Sequence, residues 1–192
     1  MDIPSEKEIQ EIVQRVLEKT LSESSASAPV ASNAPSQAAT SGPFKRRIVA
    51  MGADHGGYQL KDTLKVHLAD KGFEVIDCGT NSGDSVDYPD LAYAVAEKVS
   101  SGEACCGVIV DGAGIGSCMA ANKVKGVRAA LCYDHATASN AREHNHANVL
   151  TLGAGLIGVS LAKQIVDTFM STEAGGGRHA RRVDMIMEIE NK

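Results

Sequence analysis

Tryptophan is absent from the chain, and only four tyrosines and three phenylalanines are present. A surface that stacks bases or sugar rings needs more aromatic faces than that. Basic charge is also short: 19 Lys and Arg stand against 24 Asp and Glu, for a net charge of −5. This excludes a protein that grips nucleic acid chiefly by neutralising phosphates. No apolar run approaches the roughly 18 residues a membrane span requires. The opening MDIPSEKEIQEIV is acidic and lacks the continuous apolar stretch of a secretory signal. The cysteines (Cys78, Cys105, Cys106, Cys118, Cys132) are odd in number, lie mostly inside apolar runs and never show CxxC spacing. Neither a zinc site nor a disulfide framework is expected, and a reducing cytoplasm suits them. Proline is scarce and uneven, since only Pro89 lies beyond Arg46.

What is present, 192 residues of which 43% are hydrophobic and 22% charged, suits one domain with an appendage. Residues 1–21 read as an amphipathic helix. Pro4 and Ser5 open it, and Glu8 completes a Ser-x-x-Glu capping box. Ile9, Ile12, Val13, Val16, Leu17 and Leu21 share one face. Residues 22–45 follow as a flexible linker, with seven Ser, six Ala and three Pro between Ser22 and Pro43. A helix of this length is marginal alone in water, so its apolar stripe wants a partner. That partner is the domain's own surface, a second copy of the helix, or a groove on another protein; the long linker favours the last.

From residue 46 to 192, short apolar runs alternate with helical patterns. The runs are 47–52, 73–79, 107–111, 127–132 and 148–153; the helical patterns are 57–71, 89–101, 116–124, 134–144, 157–171 and 179–190. This alternation predicts an α/β fold, a five-stranded parallel sheet sandwiched between helices in three layers. Ligands of such sheets sit beyond the carboxyl ends of the strands. After strand one come Asp54, His55, Gly56 and Gly57; after strand two, Asp87-Tyr88-Pro89 starts a helix. After strand three comes Asp111 followed by Gly112-Ala113-Gly114-Ile115-Gly116-Ser117. Glycines at alternate positions let the backbone approach a ligand and turn its N–H groups inward, and the next helix adds its positive end. That combination suits a phosphate or an enediolate oxygen. Neither a dinucleotide fingerprint nor a P-loop is present, because Ser117 occupies the third position and no G-K-[ST] follows. Before strand five lie His144, Asn145 and His146, which lack the carboxylate or Cys partners of a metal site; His144 suits proton transfer. The last helix opens near Arg178 and Arg182, four apart and so on one face, suited to phosphate.

These pieces together resemble the ribose-5-phosphate isomerase B and galactose-6-phosphate isomerase family. The matching motifs are G-A-D-H-G-G at 52–57, D-Y-P at 87–89, G-x-G-x-G at 112–116, A-A-N-K at 120–123, G-V-R-A at 126–129, R-E-H-N at 142–145, N-V-L at 148–150 and G-G-R-H at 176–179. The resemblance implies a Rossmann-like fold, a homodimer or tetramer, and interconversion of aldose and ketose phosphates with neither metal nor organic cofactor. It implies that Asp54 and His55 contact the sugar, that Tyr88 lines the pocket, and that Gly112, Ala113, Gly114, Ile115 and Gly116 form an anion hole. It further implies that His144 assists ring opening, Asn145 binds a sugar hydroxyl, and Arg178 and Arg182 bind phosphate from the neighbouring subunit.

The sequence departs from the family pattern at the base. Many members carry Cys at the position of Asp111, and another branch carries Glu at the position of Ser117. Asp111 is therefore the expected base, with Cys118 one residue out of register. The family's phosphate Arg after strand five is replaced by Gly155, with Lys123 and Arg128 as candidates to compensate. The reading is a cytoplasmic sugar-phosphate isomerase, with ribose 5-phosphate and ribulose 5-phosphate as its pair. Residues 1–21 resemble the encapsulation peptides of bacterial microcompartment cargo, which implies a shell protein as partner and the compartment lumen as location. The alternatives are an isomerase of a tetrose or hexose phosphate and a non-catalytic sugar-phosphate-binding protein.

Overall fold

The computed structural model describes Phe44, residues 46–192 and three isolated N-terminal positions, Lys7, Gln10 and Gln14. The expected helix over 1–21 and linker over 22–45 otherwise lie outside the described residues. In chain order the elements are β1 (Ile48–Ala53), α1 (Tyr58–Asp70), β2 (Glu74–Asp77), α2 (Tyr88–Ser100), β3 (Cys106–Asp111), α3 (Ile115–Ala121), β4 (Ala129–Leu131), α4 (His135–Asn145), β5 (Val149–Gly153), α5 (Val159–Ser171) and α6 (Arg178–Ile189). The five strands form one sheet in the order β2-β1-β3-β5-β4, and every pairing is parallel. No helix among the described residues is long and apolar enough to cross a membrane.

The central strands β3 and β5 are buried throughout, because helices cover both faces of the sheet. Leu60, Leu64 and Leu68 of α1 and Ile165, Val166 and Phe169 of α5 pack with Val49, Met51, Val108 and Leu150 on one face. Ala92, Val95 and Val99 of α2 and Ala121 of α3 pack with Ala50, Ile109 and Val149 on the other. The edge strands β2 and β4 are short and only partly covered, which limits unwanted pairing. The crossover direction reverses between β1 and β3, and sheets of this kind take ligands at that switch point. The approach there is close: a Cβ on Gly57 would sit 2.1 Å from the Val110 carbonyl oxygen.

Two elements are shorter than the sequence pattern predicts. Helix α3 ends at Ala121 and β4 covers only Ala129–Leu131, because the Asn122 side chain stands in for a strand. Its Nδ2 donates to the Ala129 carbonyl at 2.9 Å, and its Oδ1 accepts from the Ala129 N–H at 2.8 Å.

At the end of β2 the ammonium of Lys61 is fully buried, 2.6 Å from Asp77 Oδ1, and donates to the Thr80 carbonyl and to Asn81 Oδ1. Lys65 reaches Asp77 Oδ2 at 2.7 Å. Burial alone would push the Asp77 carboxyl up; hydrogen bonds from Lys61, Lys65 and the Gly79 N–H outweigh it and hold the group at about 2. A carboxyl near 3.9 when unfolded therefore stabilises the fold above about pH 4, and that contribution disappears as pH falls through about 2. Urea unfolding across this window should show the midpoint dropping with acid, and Asp77→Asn should flatten the drop. The same substitution removes the nearer of the two carboxylates beside buried Lys61, leaving only Asp62 at 3.7 Å, so at pH 7 it should cost up to about 3–5 kcal/mol.

Candidate active site

Nine of the expected residues, Asp54, His55, Tyr88, Asp111 and the loop 112–116, meet at the tips of β1 and β3. Asp54 follows β1 and folds back on its own turn, with Oδ1 accepting from the Gly56 and Gly57 N–H groups at 2.9 Å each. His55 is exposed beside it, and its Nδ1 accepts from the Val86 N–H at 3.4 Å. That contact places the proton of neutral His55 on Nε2, facing away from Val86. A Cβ on Gly56 would lie 3.7 Å from the Gly112 nitrogen, so the two strand tips touch. Tyr88, at the first turn of α2, lays its ring over Gly116: a Cβ there would fall 2.5 Å from the ring. Residue 116 must therefore be glycine if Tyr88 is to close this side.

Asp111 ends β3 and is nearly buried, 4% exposed. Its Oδ1 accepts from the N–H groups of Ala113, at 2.8 Å, and of Gly114. Its Oδ2 accepts from the Ser117 N–H at 3.1 Å and the Ser117 hydroxyl at 2.5 Å. The carboxylate thus caps the glycine loop and the start of α3. Gly114 takes the left-handed conformation (φ 77°) that turns the loop into the helix. Of the loop N–H groups expected to hold an anion, those of Ala113 and Gly114 are engaged by Asp111, while those of Gly112, Ile115 and Gly116 have no acceptor among the described residues. Tyr133, which sequence reading passed over, donates from its hydroxyl to the Ala113 carbonyl at 2.7 Å and braces the loop. Its position just beyond β4 was the available signal. Cys118 points to the Ala129 carbonyl, 3.4 Å from its sulfur, away from Asp111. Cys118→Ser should therefore leave kcat within about twofold in an isomerase assay; a severe loss would move the base there.

The other expected residues form a second cluster. His144 and Asn145 end α4, and α4 runs back from the end of β4 to the start of β5. They lie at the amino edge of the sheet, about 15–20 Å from the strand tips. The His144 ring stacks on His179, with centroids 4.2 Å apart, and its Nδ1 lies 2.8 Å from Asn140 Nδ2. Asn145 Nδ2 donates to the Asn140 carbonyl at 3.3 Å. Arg178 opens α6, with its Nε 3.5 Å from His179 Nε2, and Arg182 follows one turn on. His179 is held below its ordinary imidazole value, first by desolvation and then by the positive charge of His144 and Arg178. His146 caps α4 and is spent on the fold, its Nε2 2.7 Å from the Gly175 carbonyl. No group of three or more metal-ligating side chains occurs among the described residues.

One chain therefore brings Asp54, His55, Tyr88, Asp111 and residues 112–116 together, and separately His144, Asn145, Arg178 and Arg182, without joining the two sets. The expected compensation at Gly155 does not come from Arg128 of the same chain. Its Nε donates to the His146 carbonyl at 3.0 Å, at the opposite edge of the sheet. Gly155 itself presses its backbone on the loop, with its N–H 3.0 Å from the Gly112 carbonyl.

Comparison with known proteins agrees with this geometry. Residues 49–186 match the ribose/galactose isomerase family. The ribose-5-phosphate isomerase B of Escherichia coli (strain K12) is 43% identical over 144 residues, covering 75% of this chain and 97% of that protein. The structure of Clostridium thermocellum ribose-5-phosphate isomerase B superposes with a TM-score of 0.74 at 50% identity, covering 75% of this chain and 97% of that one. The Mycoplasma genitalium enzyme, solved with bound ribulose-5-phosphate, gives a TM-score of 0.73 at 43% identity, over 76% of this chain and 97% of that one. The match over residues 49–186, the shared fold and this degree of identity lead to one assignment: the chain belongs to the ribose/galactose isomerase family.

Proposed function

We propose that the chain is an aldose–ketose isomerase of sugar phosphates that interconverts ribose 5-phosphate and ribulose 5-phosphate, in a site completed by a second copy of itself. The observation that carries this reading is the meeting of the β1 and β3 tips, where a buried carboxylate adjoins a glycine loop whose Gly112, Ile115 and Gly116 N–H groups have no acceptor among the described residues. In the aldose-to-ketose direction the C2–H bond breaks and Asp111 takes the proton on Oδ2, the oxygen uncovered when the Ser117 hydroxyl, the one rotatable donor on this carboxylate, turns away. The electron pair forms the C1–C2 double bond, and the C1 carbonyl oxygen becomes the enediolate oxygen, stabilised by the N–H groups of Ile115 and Gly116. The proton returns from Asp111 to C1 while the proton of the C2 hydroxyl passes to the C1 oxygen, so that C2 becomes the ketone and C1 carries the hydroxyl. Asp54 and His55 hold sugar hydroxyls, and Tyr88 closes the pocket.

The residues that open the ring and hold the phosphate are supplied by the second copy. A twofold axis across the sheet sets the carboxyl edge of one chain against the amino edge of the other. His144, Asn145, Arg178 and Arg182 of the partner subunit then complete the site. A groove of about 810 Å³ between β4, α4 and α6 supports this, lined by Ala129, Ala130, Asn140, Asn145, Ile186 and Ile189. Met185 and Ile189 of α6 remain 52% and 62% exposed. The assay that tests the activity offers ribose, allose, galactose and erythrose phosphates in turn. Highest kcat/KM on ribose 5-phosphate supports the reading; preference for a four- or six-carbon substrate replaces it, and no turnover on any points to a binding protein.

Residues 1–21 are proposed as an address tag, carried on the linker of 22–45, that directs the enzyme into a microcompartment by docking on a shell protein. The relatives match over 97% of their own length while covering only 75% of this chain, so the segment is additional to the isomerase domain. A fluorescent protein carrying residues 1–21 should co-localise with shells; diffuse signal in shell-producing cells would rule the tag out.

A further inference from the structure

We infer that Ser117 is a positioning residue for the base: its buried hydroxyl orients the Asp111 carboxylate and sets the pH at which that carboxylate is free to take a proton. The inference rests on the reading of Asp111 as base.

Four donors converge on the Asp111 carboxylate, and three are backbone N–H groups fixed by the loop. The fourth, the Ser117 hydroxyl at 2.5 Å, is the only one supplied by a side chain and the only one that can rotate. Ser117 is fully buried and reaches no ligand surface, so its hydroxyl has no role in contacting substrate. A donor to a charged carboxylate favours the ionised form. With the hydroxyl in place, one acceptor site of the carboxylate is occupied, and the base is weaker at accepting a proton from carbon. Asp111 and Ser117 of this chain act together through that contact.

The elements beside this carboxylate carry Asp54 and His55 at the tip of β1, Tyr88 on α2, Tyr133 after β4, and Cys118 on α3, whose sulfur turns to the Ala129 carbonyl. The segment after β5, residues 153–157, contributes none. Asp54 and His55 are satisfied in part by their own turn and by Val86, and Tyr133 spends its hydroxyl on the Ala113 carbonyl. None of them donates a hydrogen bond to Asp111, so removing the Ser117 hydroxyl isolates one contact.

The test is the pH profile of kcat for the full-length enzyme on ribose 5-phosphate. Ser117→Ala should move the acid limb up by about one pH unit, with KM changed less than about twofold. Ser117→Cys, close in size and a weaker donor, should place the limb between wild type and Ser117→Ala. Far-UV circular dichroism and a thermal melt establish that each variant is folded. An acid limb that does not move in either folded variant overturns the inference, as does a rise in KM with the limb unmoved. The two ideas separate cleanly. If Asp111→Asn turns over as well as wild type, the base assignment fails. If Asp111→Asn is inactive while Ser117→Ala keeps the wild-type limb, the role of Ser117 alone fails.

Discussion

Asp111→Asn is expected to lower kcat on the preferred sugar phosphate by about 10³-fold, within the usual range for loss of a general base. Two effects of the substitution need separating, because Asp111 also caps its loop. An amide offers one acceptor oxygen where the carboxylate offers two. It cannot receive both the Ala113 and Gly114 N–H groups and the two donors of Ser117. Leaving buried donors unpaired costs about 1–3 kcal/mol each, so the melt should fall as well. Asp111→Cys distinguishes the roles. A thiolate caps the loop no better than an amide does, yet it can accept a proton. Steady-state assays should find Asp111→Cys well above Asp111→Asn; equal inactivity of the two would mean that loop geometry, and not basicity, is what the carboxylate provides.

The second large effect is a recovery. Asp111→Asn and His144→Ala are each expected to be almost inactive as purified proteins. In a shared site, mixing them and allowing subunits to exchange restores activity. Half of the dimers are then mixed, and each mixed dimer holds one intact site and one doubly altered site. The expected plateau is about one quarter of wild-type turnover. Activity that never rises above that of the separate mutants would place both residues in a single-chain site, against the distance that separates α4's end from the β3 tip. The comparison is sharp because the two residues lie at opposite edges of one sheet, fixed there by the direction of α4.

The fold was legible because its signals are local and repeated. Five apolar runs bounded by glycine or polar residues, each followed by a helical period, leave few arrangements other than a parallel three-layer sandwich. The strand order with β4 at the edge was not legible, since periodicity carries no information about which strands are neighbours. The boundaries of α3 and β4 were missed because Asn122 ends one and clasps the other with its side chain, which no propensity encodes. At the site, Asp54, His55, Tyr88 and the glycine loop were found from their positions after strands. The division of the expected residues into two clusters followed only from the course of α4 and α6. Lys61 was passed over, because a lysine on an amphipathic helix reads as solvent-facing until Asp77, Thr80 and Asn81 are seen around its ammonium.

The placement of the two clusters has a consequence for how such an enzyme changes its preferred sugar. In the proposed dimer the strands act as rigid spacers. The span from reacting carbons to phosphate is then set by how one subunit seats on the other. A small slide of α6 across the groove beside β4 would lengthen or shorten that span without altering a residue that touches the carbons. Chain-length preference in this architecture is therefore open to drift through remote, apolar substitutions such as those at Ile186 and Ile189, while the chemistry at the strand tips stays untouched.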